Sequence, residues 1–398
     1  MKYIVVILDG AAGWKQEDLD DKTTLEAASI PLLDTMARQG IVGLAKTVPD
    51  GLEPSSSAAC TSIVGYHPAE NYVGRAAIEA SAMGITLAAD EIALRVNTLT
   101  IEDDIMKSYA CGHITTPESR AIVERLAEAL NDETFTLYPG VAYRHILVVK
   151  GHPELLDLTY TSPHDITDQS TFGQLPRGGE GAQLLLDYMD RARVLLAEDQ
   201  TNKERIAAGE LPCTDVWPFW PGEAPQKMVP FEEKFHKTAA LSSGVDLLFG
   251  IAQIFSLDCL RIDGVTDGPD TDYAKQALES LEALENHDVV VIHIEAPDEM
   301  GHAGDAQGKI AAVEAIDRKV IARIMAYAKS AGDVRVLAMP DHPTPVALKT
   351  HVNEPVPFII WGEGIEPNGA FGYTEAAAHA TELVLDPGCQ VMELLLAD

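Results

Sequence analysis

Three short, almost uninterrupted apolar runs, each followed closely by an acidic residue, constrain the fold of this chain more than any other feature. The runs are YIVVI before Asp9, VVVIHI before Asp298 and VRVLAM before Asp341. Such runs, without regular polar alternation, are typical of strands buried on both faces of a parallel sheet. Open α/β sheets place their chemistry beyond the carboxyl ends of the strands. The pattern therefore predicts one site that gathers all three carboxylates.

Amphipathic segments between the strand-like runs predict helices. After the first run, LLDTMARQG predicts a helix that ends at Gly40, and IVGLAKTV predicts the next strand. This βαβ order favours a parallel sheet with helices on both faces. Further helices are predicted in GVDLLFGIAQIF, YAKQALESLEALEN and IAAVEAIDRKVIARIMAYAKSAG. The expected fold class is therefore α/β, a three-layer α/β/α core with a mainly parallel sheet.

The character of the sequence changes near Leu87. IALRVNTLTIEDDIMKSYA predicts a β-hairpin, PESRAIVERLAEALND a helix opened by Pro117, and FTLYPG and YRHILVVKG two more strands. This order predicts a compact α+β insertion, and 398 residues are too many for one simple core. We expect a core formed by residues 1–86 and 172–398 and a smaller inserted domain over residues 87–171. After the insertion, GAQLLLDYMDRARVLLAEDQTNKERIAAGE predicts one long amphipathic helix.

Side chains near the strand ends are of the types that bind divalent cations. Asp298 and His302 are four residues apart, so on a helix both lie on one face. Mixed carboxylate and imidazole ligands suit Mn²⁺, Zn²⁺ or Fe²⁺ better than Ca²⁺. Two such ions can activate a coordinated serine hydroxyl and hold a phosphoryl group during its transfer. The candidate metal ligands are Asp9, Ser56, Asp298, His302, Asp341, His342 and His351.

The candidate nucleophile, Ser56, lies in the segment PSSSAAC. No histidine close to it in sequence supplies a base, so coordination to a metal ion is the activation that we expect. Because three serines follow one another, the sequence does not determine which of them is the nucleophile. Ser57, and less so Ser55, are the alternatives to Ser56.

The formal net charge of −33 argues against nucleic acids and anionic membranes as partners, because both attract clustered lysine and arginine. A small phosphorylated substrate would need local positive charge from metal ions and a few arginines. The five cysteines have no paired C-x-x-C spacing, which suits a reducing compartment. We expect a cytoplasmic protein that acts on a small molecule, and a homo-oligomer stays open.

Taken in order, the motifs ILDG, YVGRAAIEA, APDEMGH, PDHPTP and THVNEPVPF resemble those of the archaeal-type cofactor-independent phosphoglycerate mutases, members of the alkaline phosphatase superfamily. The resemblance implies an alkaline-phosphatase-like core. It also implies that Ser56 carries a phosphoserine intermediate in the interconversion of 3-phosphoglycerate and 2-phosphoglycerate, a step of glycolysis and gluconeogenesis. The insertion would be a substrate-binding lid that closes over the metals.

The same resemblance implies two divalent metal ions and no 2,3-bisphosphoglycerate. Mn²⁺ is the expected ion, with Zn²⁺, Mg²⁺ and Fe²⁺ as alternatives. The resemblance assigns one ion to Asp9, Ser56, Asp341 and His342, and the other to Asp298, His302 and His351.

Departures from the family pattern leave the substrate open. Family members usually have Gly-Ser-Asp or Gly-Ser-Glu at the nucleophile, where this chain has three serines, and Cys60 replaces a usual amide or imidazole. The insertion has KSYACGH where the archaeal mutases carry an arginine-rich stretch. SYACGHIT and WPFWPG are more similar to a bacterial branch of the family that has been proposed to act as homoserine kinase. A small-molecule kinase or a phosphatase on the same metals therefore stays an alternative, as does a metal-binding domain whose catalysis has lapsed.

Basic side chains that could contact an anionic substrate are few. A single arginine in a strand is as often a surface ion-pair partner as a ligand contact. The candidate substrate-binding residues are Arg75, Arg95, His113, Arg144, His164 and Lys237.

Overall fold

The computed structural model describes residues 1–225 and 228–397. Its strands are β1 (Lys2–Leu8), β2 (Ile41–Ala45), β3 (Glu91–Glu102), β4 (Ile105–Ser108), β5 (Phe135–Tyr138), β6 (Arg144–Lys150), β7 (Asp215–Glu223), β8 (Ala239–Ser242), β9 (Asp258–Leu260), β10 (Val289–Ile294), β11 (Val334–Met339), β12 (Val356–Gly362) and β13 (Val384–Leu385). Its α-helices are α1 (Thr24–Ala27), α2 (Pro31–Gln39), α3 (Ser56–Ile63), α4 (Pro68–Asn71), α5 (Arg75–Ala82), α6 (Thr116–Leu130), α7 (Gly181–Glu198), α8 (Gln200–Ala208), α9 (Phe231–Phe235), α10 (Asp246–Ile254), α11 (Tyr273–Ala283), α12 (Ala296–Ala303), α13 (Ala306–Ile316), α14 (Ala322–Ala331), α15 (Glu375–Ala380) and α16 (Gln390–Leu396). Short 3-10 turns lie at Glu17–Leu19, Pro153–Asp157 and Pro163–Ile166, and a π-helical turn, Asp317–Ile321, joins α13 to α14.

The chain divides into two compact units, Met1–Tyr72 with Met228–Asp398, and Val73–Lys227. The predicted insertion, residues 87–171, lies within the second unit, which extends beyond it at both ends. Strand pairing accounts for the extension at the C-terminal end, because β7 pairs antiparallel with β3 from Leu99↔Asp215 to Ile92↔Glu223. β7 therefore belongs to the same sheet as the strands of the insertion, and the segment that leads to it belongs to the same unit.

The first unit is built on an eight-stranded sheet with the order β13-β2-β12-β11-β1-β10-β8-β9. β10, β1 and β11 are adjacent and parallel, as the three apolar runs predicted. Among the described strands of this sheet, β12 alone runs antiparallel to its neighbours β11 and β2. The three strands that precede the acidic residues therefore end side by side at one edge.

Helices cover both faces of this sheet. Ile4, Val6 and Leu8 of β1 share a core with α2, α11, α13 and α14. Val5 and Ile7 point to the opposite face and are equally buried, where α10 contacts β8 and α16 contacts β11. Each such side chain contributes about 2 kcal/mol of hydrophobic stabilisation. The predicted helices α2, α10, α11, α13 and α14 are confirmed.

Local sequence explains where α2 begins and ends. Pro31 occupies the first helical position, where the missing N–H costs no hydrogen bond. The helix ends at Gly40, where a Cβ atom would collide with the carbonyl oxygen of Ile360. A larger residue at this position would therefore push β2 away from β12.

The second unit contains a five-stranded antiparallel sheet in which β4, β3, β6 and β5 follow one another and β7 pairs with β3. The predicted hairpin, helix and two strands are confirmed as β3–β4, α6, β5 and β6. Side chains of α6 and α7 share one hydrophobic core with the sheet. The single long helix predicted after residue 180 was wrong, because Asp199 leaves the helical conformation and caps α8 through Asn202 N–H.

Within the parts of the chain that the structure describes, no helix combines the length and the apolar character needed to cross a membrane.

His145, on β6, gives the second unit a specific sensitivity to acid. The ring is fully buried; Nδ1 accepts from Gly140 N–H at 3.1 Å, so Nε2–H donates to Ser119 Oγ at 3.0 Å. Burial, together with the charges of Arg95 and Arg120, lowers its pKa from 6.5 to about 3. Because the folded pKa lies below the unfolded one, the contribution of His145 to stability is fully present above about pH 6.5 and is lost as the pH falls toward 3.

In that window we expect His145 to contribute about 1.4 kcal/mol per pH unit to the slope of the free energy of unfolding against pH. Denaturant unfolding of the full chain at a series of pH values measures this slope. His145→Gln should flatten the slope, whereas His379→Gln, at an exposed histidine, should leave it unchanged. Equal slopes in the original chain and His145→Gln would contradict the assignment.

Candidate metal centre and nucleophile

Three buried aspartates meet beyond the adjacent strand ends of the first unit. Asp9 directly follows β1, Asp341 follows β11 after one residue, and Asp298 lies in the first turn of α12, which follows β10. All three side chains are almost completely buried. The prediction that the carboxyl ends of these strands gather the three carboxylates is therefore matched by the structure.

Asp341 is fixed by backbone hydrogen bonds. Its Oδ1 accepts from Gly10 N–H at 3.0 Å and from His342 N–H at 2.8 Å, and its Oδ2 lies 3.1 Å from His342 Nε2. Gly10 has a φ of +59°, and a Cβ atom there would collide with Asp298 Oδ1. Glycine is thus required for the close approach of the two loops. Ligand atoms of Asp9, Asp341 and His342 all lie within 4.8 Å of one another.

A second group surrounds Asp298. On α12, His302 lies one turn after Asp298, and its Nε2 is 3.0 Å from Asp298 Oδ2. His351 Nε2 is 2.9 Å from His302 Nε2 and 3.6 Å from Asp298 Oδ1. Asp298, His342 and His351 also offer ligand atoms within 4.8 Å of one another. His342 therefore belongs to both groups of ligand atoms, whereas the resemblance assigned it to one ion.

The two outer histidines present lone pairs to each other. His302 Nδ1 bonds the Lys349 carbonyl at 2.9 Å, and His351 Nδ1 bonds the Pro54 carbonyl at 3.2 Å. A carbonyl only accepts, so both Nδ1 atoms carry hydrogen and both neutral rings turn an Nε2 lone pair inward. Such an arrangement needs a cation or an extra proton between the rings. The hydrogen bond with Asp298 accordingly raises the pKa of His302 to about 9.

The carboxylates show the same need for positive charge. Burial, reinforced by the charges of Asp341 and Asp298, raises the pKa of Asp9 well above its usual range. Burial also raises the pKa of Glu295, whose Oε2 is buried without a hydrogen-bond partner in the described chain, as is Asp9 Oδ1. For Asp298, the adjacent imidazoles of His302 and His351 outweigh the effect of burial and hold its pKa well below the usual value. This donor set fits divalent cations, which would remove the repulsion among the buried carboxylates.

Ser56 is the serine that faces this cluster. It is the first residue of α3, after the N-cap Ser55, and its Oγ lies 3.2 Å from His342 Nε2. Ser57 is buried, and its Oγ bonds Ser55 Oγ at 3.0 Å and Tyr72 OH at 3.3 Å. Cys60, one turn further along α3, donates to Asp341 Oδ2 at 3.8 Å. The geometry favours Ser56 over its neighbours, and its role as nucleophile stays a prediction.

Residues that no motif of the sequence indicated support the ligands. His293 Nε2 lies 2.6 Å from Asp9 Oδ2, and its Nδ1 bonds Ser243 Oγ at 3.0 Å. Asp9, His293 and Glu295 form a further group of ligand-type atoms. Thr344 Oγ1 hydrogen-bonds Asp298 Oδ1. A histidine inside the apolar run VVVIHI was the one signal that could have drawn attention to this layer.

Most of the predicted substrate-binding residues lie in the second unit. Arg75, the first residue of α5, places its guanidinium 4.3 Å from the Trp220 ring, and its Nε bonds Glu79 at 3.0 Å. Arg95 is buried and binds the same Glu79 carboxylate through Nη1 at 2.6 Å. Because Arg75 is more exposed than Arg95, it is better placed to meet a ligand.

The other candidates are more dispersed. The His164 ring lies 5.4 Å from the Trp220 ring, so it belongs to the same cluster as Arg75. Arg144 is exposed near the Tyr143 ring, and His113 is exposed with a φ of +62°. Lys237 lies in the first unit, just before β8. A role in substrate binding stays a prediction for Arg75, Arg95, His113, Arg144, His164 and Lys237.

Comparison with known proteins identifies the family. A family described as 2,3-bisphosphoglycerate-independent phosphoglycerate mutase matches residues 37–202. A protein of Geobacter sulfurreducens, named as a probable 2,3-bisphosphoglycerate-independent phosphoglycerate mutase, is 40% identical over 100% of both chains. This chain belongs to the 2,3-bisphosphoglycerate-independent phosphoglycerate mutase family. A phosphoglycerate mutase of this family from Methanosarcina barkeri is 39% identical over 100% of this chain and 99% of its own.

Solved structures share the fold. The PH0037 protein of Pyrococcus horikoshii has a TM-score of 0.84 at 24% identity, covering 99% of this chain and 96% of its own. The cofactor-independent phosphoglycerate mutase of Thermoplasma acidophilum has a TM-score of 0.69 at 23% identity, covering 100% and 99%. The predicted family and the predicted α/β fold with its inserted α+β domain are thereby confirmed. The family is defined by independence from 2,3-bisphosphoglycerate, in agreement with the expectation that this cofactor is not needed.

Proposed function

We propose that this chain interconverts 3-phosphoglycerate and 2-phosphoglycerate through a phosphoserine on Ser56, with two divalent metal ions. The observation that carries the proposal is the 3.2 Å approach of Ser56 Oγ to His342 Nε2, because His342 belongs to both candidate ligand groups. Full-length relatives that are about 40% identical carry the name of this mutase. A serine at the junction of the two groups is the position that phosphoryl transfer requires.

The residues that would hold the ions are all in the first unit. When bound, the ions would lower the pKa of the serine hydroxyl and neutralise the transferring phosphoryl group. Mn²⁺ is the proposed ion, with Zn²⁺, Mg²⁺ and Fe²⁺ as alternatives, because mixed carboxylate and imidazole ligands suit such metals. The proposed ligands are Asp9, Ser56, Asp341 and His342 for one ion and Asp298, His302 and His351 for the other.

The position of Ser56 also suits a phosphorylated side chain. It begins α3, so the free N–H groups of the first helical turn and the helix dipole favour negative charge there. Ser55 keeps its own role as N-cap by accepting from Ala58 N–H at 3.4 Å. The proposed cycle moves the phosphoryl group from one hydroxyl of the substrate to Ser56 and returns it to the other hydroxyl. The retained glycerate must stay bound during this exchange.

We propose that the second unit binds the substrate and limits the access of water. Arg75 is the proposed contact to an anionic group of phosphoglycerate, since Trp220 and Glu79 hold its guanidinium in one orientation. Arg95 would act mainly by positioning Glu79. Because this chain has KSYACGH where the archaeal mutases carry an arginine-rich stretch, the experiment compares 3-phosphoglycerate with a different phosphoryl acceptor.

The test is an assay of the Mn²⁺-loaded chain without 2,3-bisphosphoglycerate. One set of reactions offers 3-phosphoglycerate and follows 2-phosphoglycerate through enolase; a second offers ATP and homoserine and follows ADP. Formation of 2-phosphoglycerate without release of inorganic phosphate is the expected result. ADP formation that depends on homoserine, with no 2-phosphoglycerate, would replace the mutase by a kinase. Net phosphate release alone would make the chain a phosphatase, and silence in every reaction would favour a lapsed enzyme.

The proposed partner is thus a small phosphorylated molecule. The absence of nucleic acid and membrane partners, a cytoplasmic location and a homo-oligomeric state stay predictions from the sequence.

A further inference from the structure

Lys309 is a buried charge that the proposed function does not use. It lies on α13, and among the lysines that the structure describes it is the one whose side chain is completely buried. Burying an ammonium group is costly unless hydrogen bonds and opposite charges compensate. Burial lowers its pKa to about 8, against the opposing effect of the charges on Asp298, Glu375 and Asp9. A side chain kept at this cost is a candidate for a specific role.

The ammonium group joins the two loops that carry metal ligands. Lys309 Nζ donates to the Ala12 carbonyl at 3.0 Å and to the Thr344 carbonyl at 2.7 Å. Ala12 lies three residues after Asp9, and Thr344 lies two residues after His342. The Ala12 carbonyl also accepts from Thr344 N–H at 3.1 Å. Lys309 therefore connects the loop that follows Asp9 to the loop that follows His342 and fixes the distance between them.

The same contact reaches the third ligand-bearing segment. Thr344 Oγ1 hydrogen-bonds Asp298 Oδ1 and lies 3.3 Å from His342 Nδ1. A Cβ atom on Gly301, one turn after Asp298, would lie 2.8 Å from the Thr344 methyl group, so α12 packs tightly on this residue. Moving Thr344 would therefore turn Asp298 and His342 together.

We propose that Lys309 is a positioning residue of the metal centre, which holds the loops of Asp9 and His342 at the separation that metal binding requires. The inference rests on the metal-dependent function proposed above. A methionine at this position would occupy a similar volume but donate no hydrogen bond. If Lys309 served packing alone, such a change would affect folding and not the affinity for metal.

The experiment compares Lys309→Met with Lys329→Met, which removes an exposed lysine from the last turn of α14. Mn²⁺ affinity is measured per folded chain, without substrate, from the spin-resonance signal of free Mn²⁺. Loss of a group that supports ligands typically weakens metal binding by about 10- to 100-fold, and we expect a loss in this range for Lys309→Met. Lys329→Met should bind Mn²⁺ like the original chain.

Equal Mn²⁺ affinity in Lys309→Met and the original chain would overturn the inference, even if the melting temperature of the variant falls. Failure of the original chain to bind any of the four proposed ions would instead refute the metal-dependent function itself, so the two failures are distinguishable.

A second measurement avoids substitution. A buried, hydrogen-bonded ammonium group exchanges its protons slowly, so its nitrogen signal is observable by NMR in the lysine-labelled chain, unlike those of exposed lysines. Loading with diamagnetic Zn²⁺ should shift this signal, because the two carbonyls that Lys309 contacts move with the ligand loops. An unchanged signal on a chain shown to bind Zn²⁺ would overturn the inference.

Discussion

Ser56→Ala should lower the rate of 2-phosphoglycerate formation by at least about 10³-fold, because removing a nucleophile that forms a covalent intermediate costs at least this much. The variant should fold normally. Alanine is a good helix former at the first position of α3, and the N-cap contact from Ser55 to Ala58 is unaffected. Steady-state rates with 3-phosphoglycerate measure the loss. Mass spectrometry of chains quenched during turnover should detect one added phosphoryl group in the original chain and none in the variant.

Ser57→Ala is the matched control, since it removes the same hydroxyl from the next residue. Ser57 Oγ bonds Ser55 Oγ and Tyr72 OH, away from His342, so its loss should cost about 1 kcal/mol of stability and little activity. Mapping the phosphoryl group to Ser57, or loss of activity in Ser57→Ala with a functional Ser56→Ala, would reverse the assignment. The sequence left this choice open because three identical residues in a turn carry no signal of which one faces the ligands.

Much of the candidate site is predictable because its parts are local. An apolar run of five or six residues has the length of a buried strand, and the carboxyl ends of parallel strands lie at one edge of an open sheet. Asp9, Asp298 and Asp341 could therefore be placed together without any structural information. The pairing of Asp298 with His302 follows from helical spacing alone. In the structure the two side chains lie one turn apart on α12 and are in contact.

Other features depend on contacts that no local pattern reports. The second unit extends past the C-terminal end of the predicted insertion because β7 pairs with β3, a strand that lies far from it in sequence. His342 serves both ligand groups because of the tight turn after Asp341, whose Oδ1 accepts from His342 N–H. Lys309 and His293 each look like single polar residues in apolar segments. Their importance becomes visible only when the carbonyl and carboxylate groups that they contact are known.

Asp341→Ala tests the metal centre most directly. We expect a folded chain that binds one cation fewer and is at least about 100-fold less active, since even groups that only support metal ligands cost up to this factor. The substitution also removes the acceptor for Gly10 N–H and His342 N–H, which should cost about 1–3 kcal/mol of stability. In the metal-free chain the substitution also removes the repulsion between Asp341 and Asp9, which is one cause of the raised pKa of Asp9. The loss of this repulsion offsets part of the cost in stability. Elemental analysis of dialysed protein gives the metal content per chain.

Asp317→Ala separates the loss of a ligand from the loss of a buried hydrogen-bond acceptor. Asp317 is also completely buried, and it accepts from Leu33 N–H at 2.8 Å and from Leu32 N–H at 3.3 Å. It lies in the π-helical turn between α13 and α14 and belongs to none of the groups of ligand-type atoms in the described chain. Asp317→Ala should therefore lose a similar amount of stability while keeping its metal content and activity. If both variants lost activity only in proportion to their unfolded fraction, Asp341 would be a structural residue and not a metal ligand.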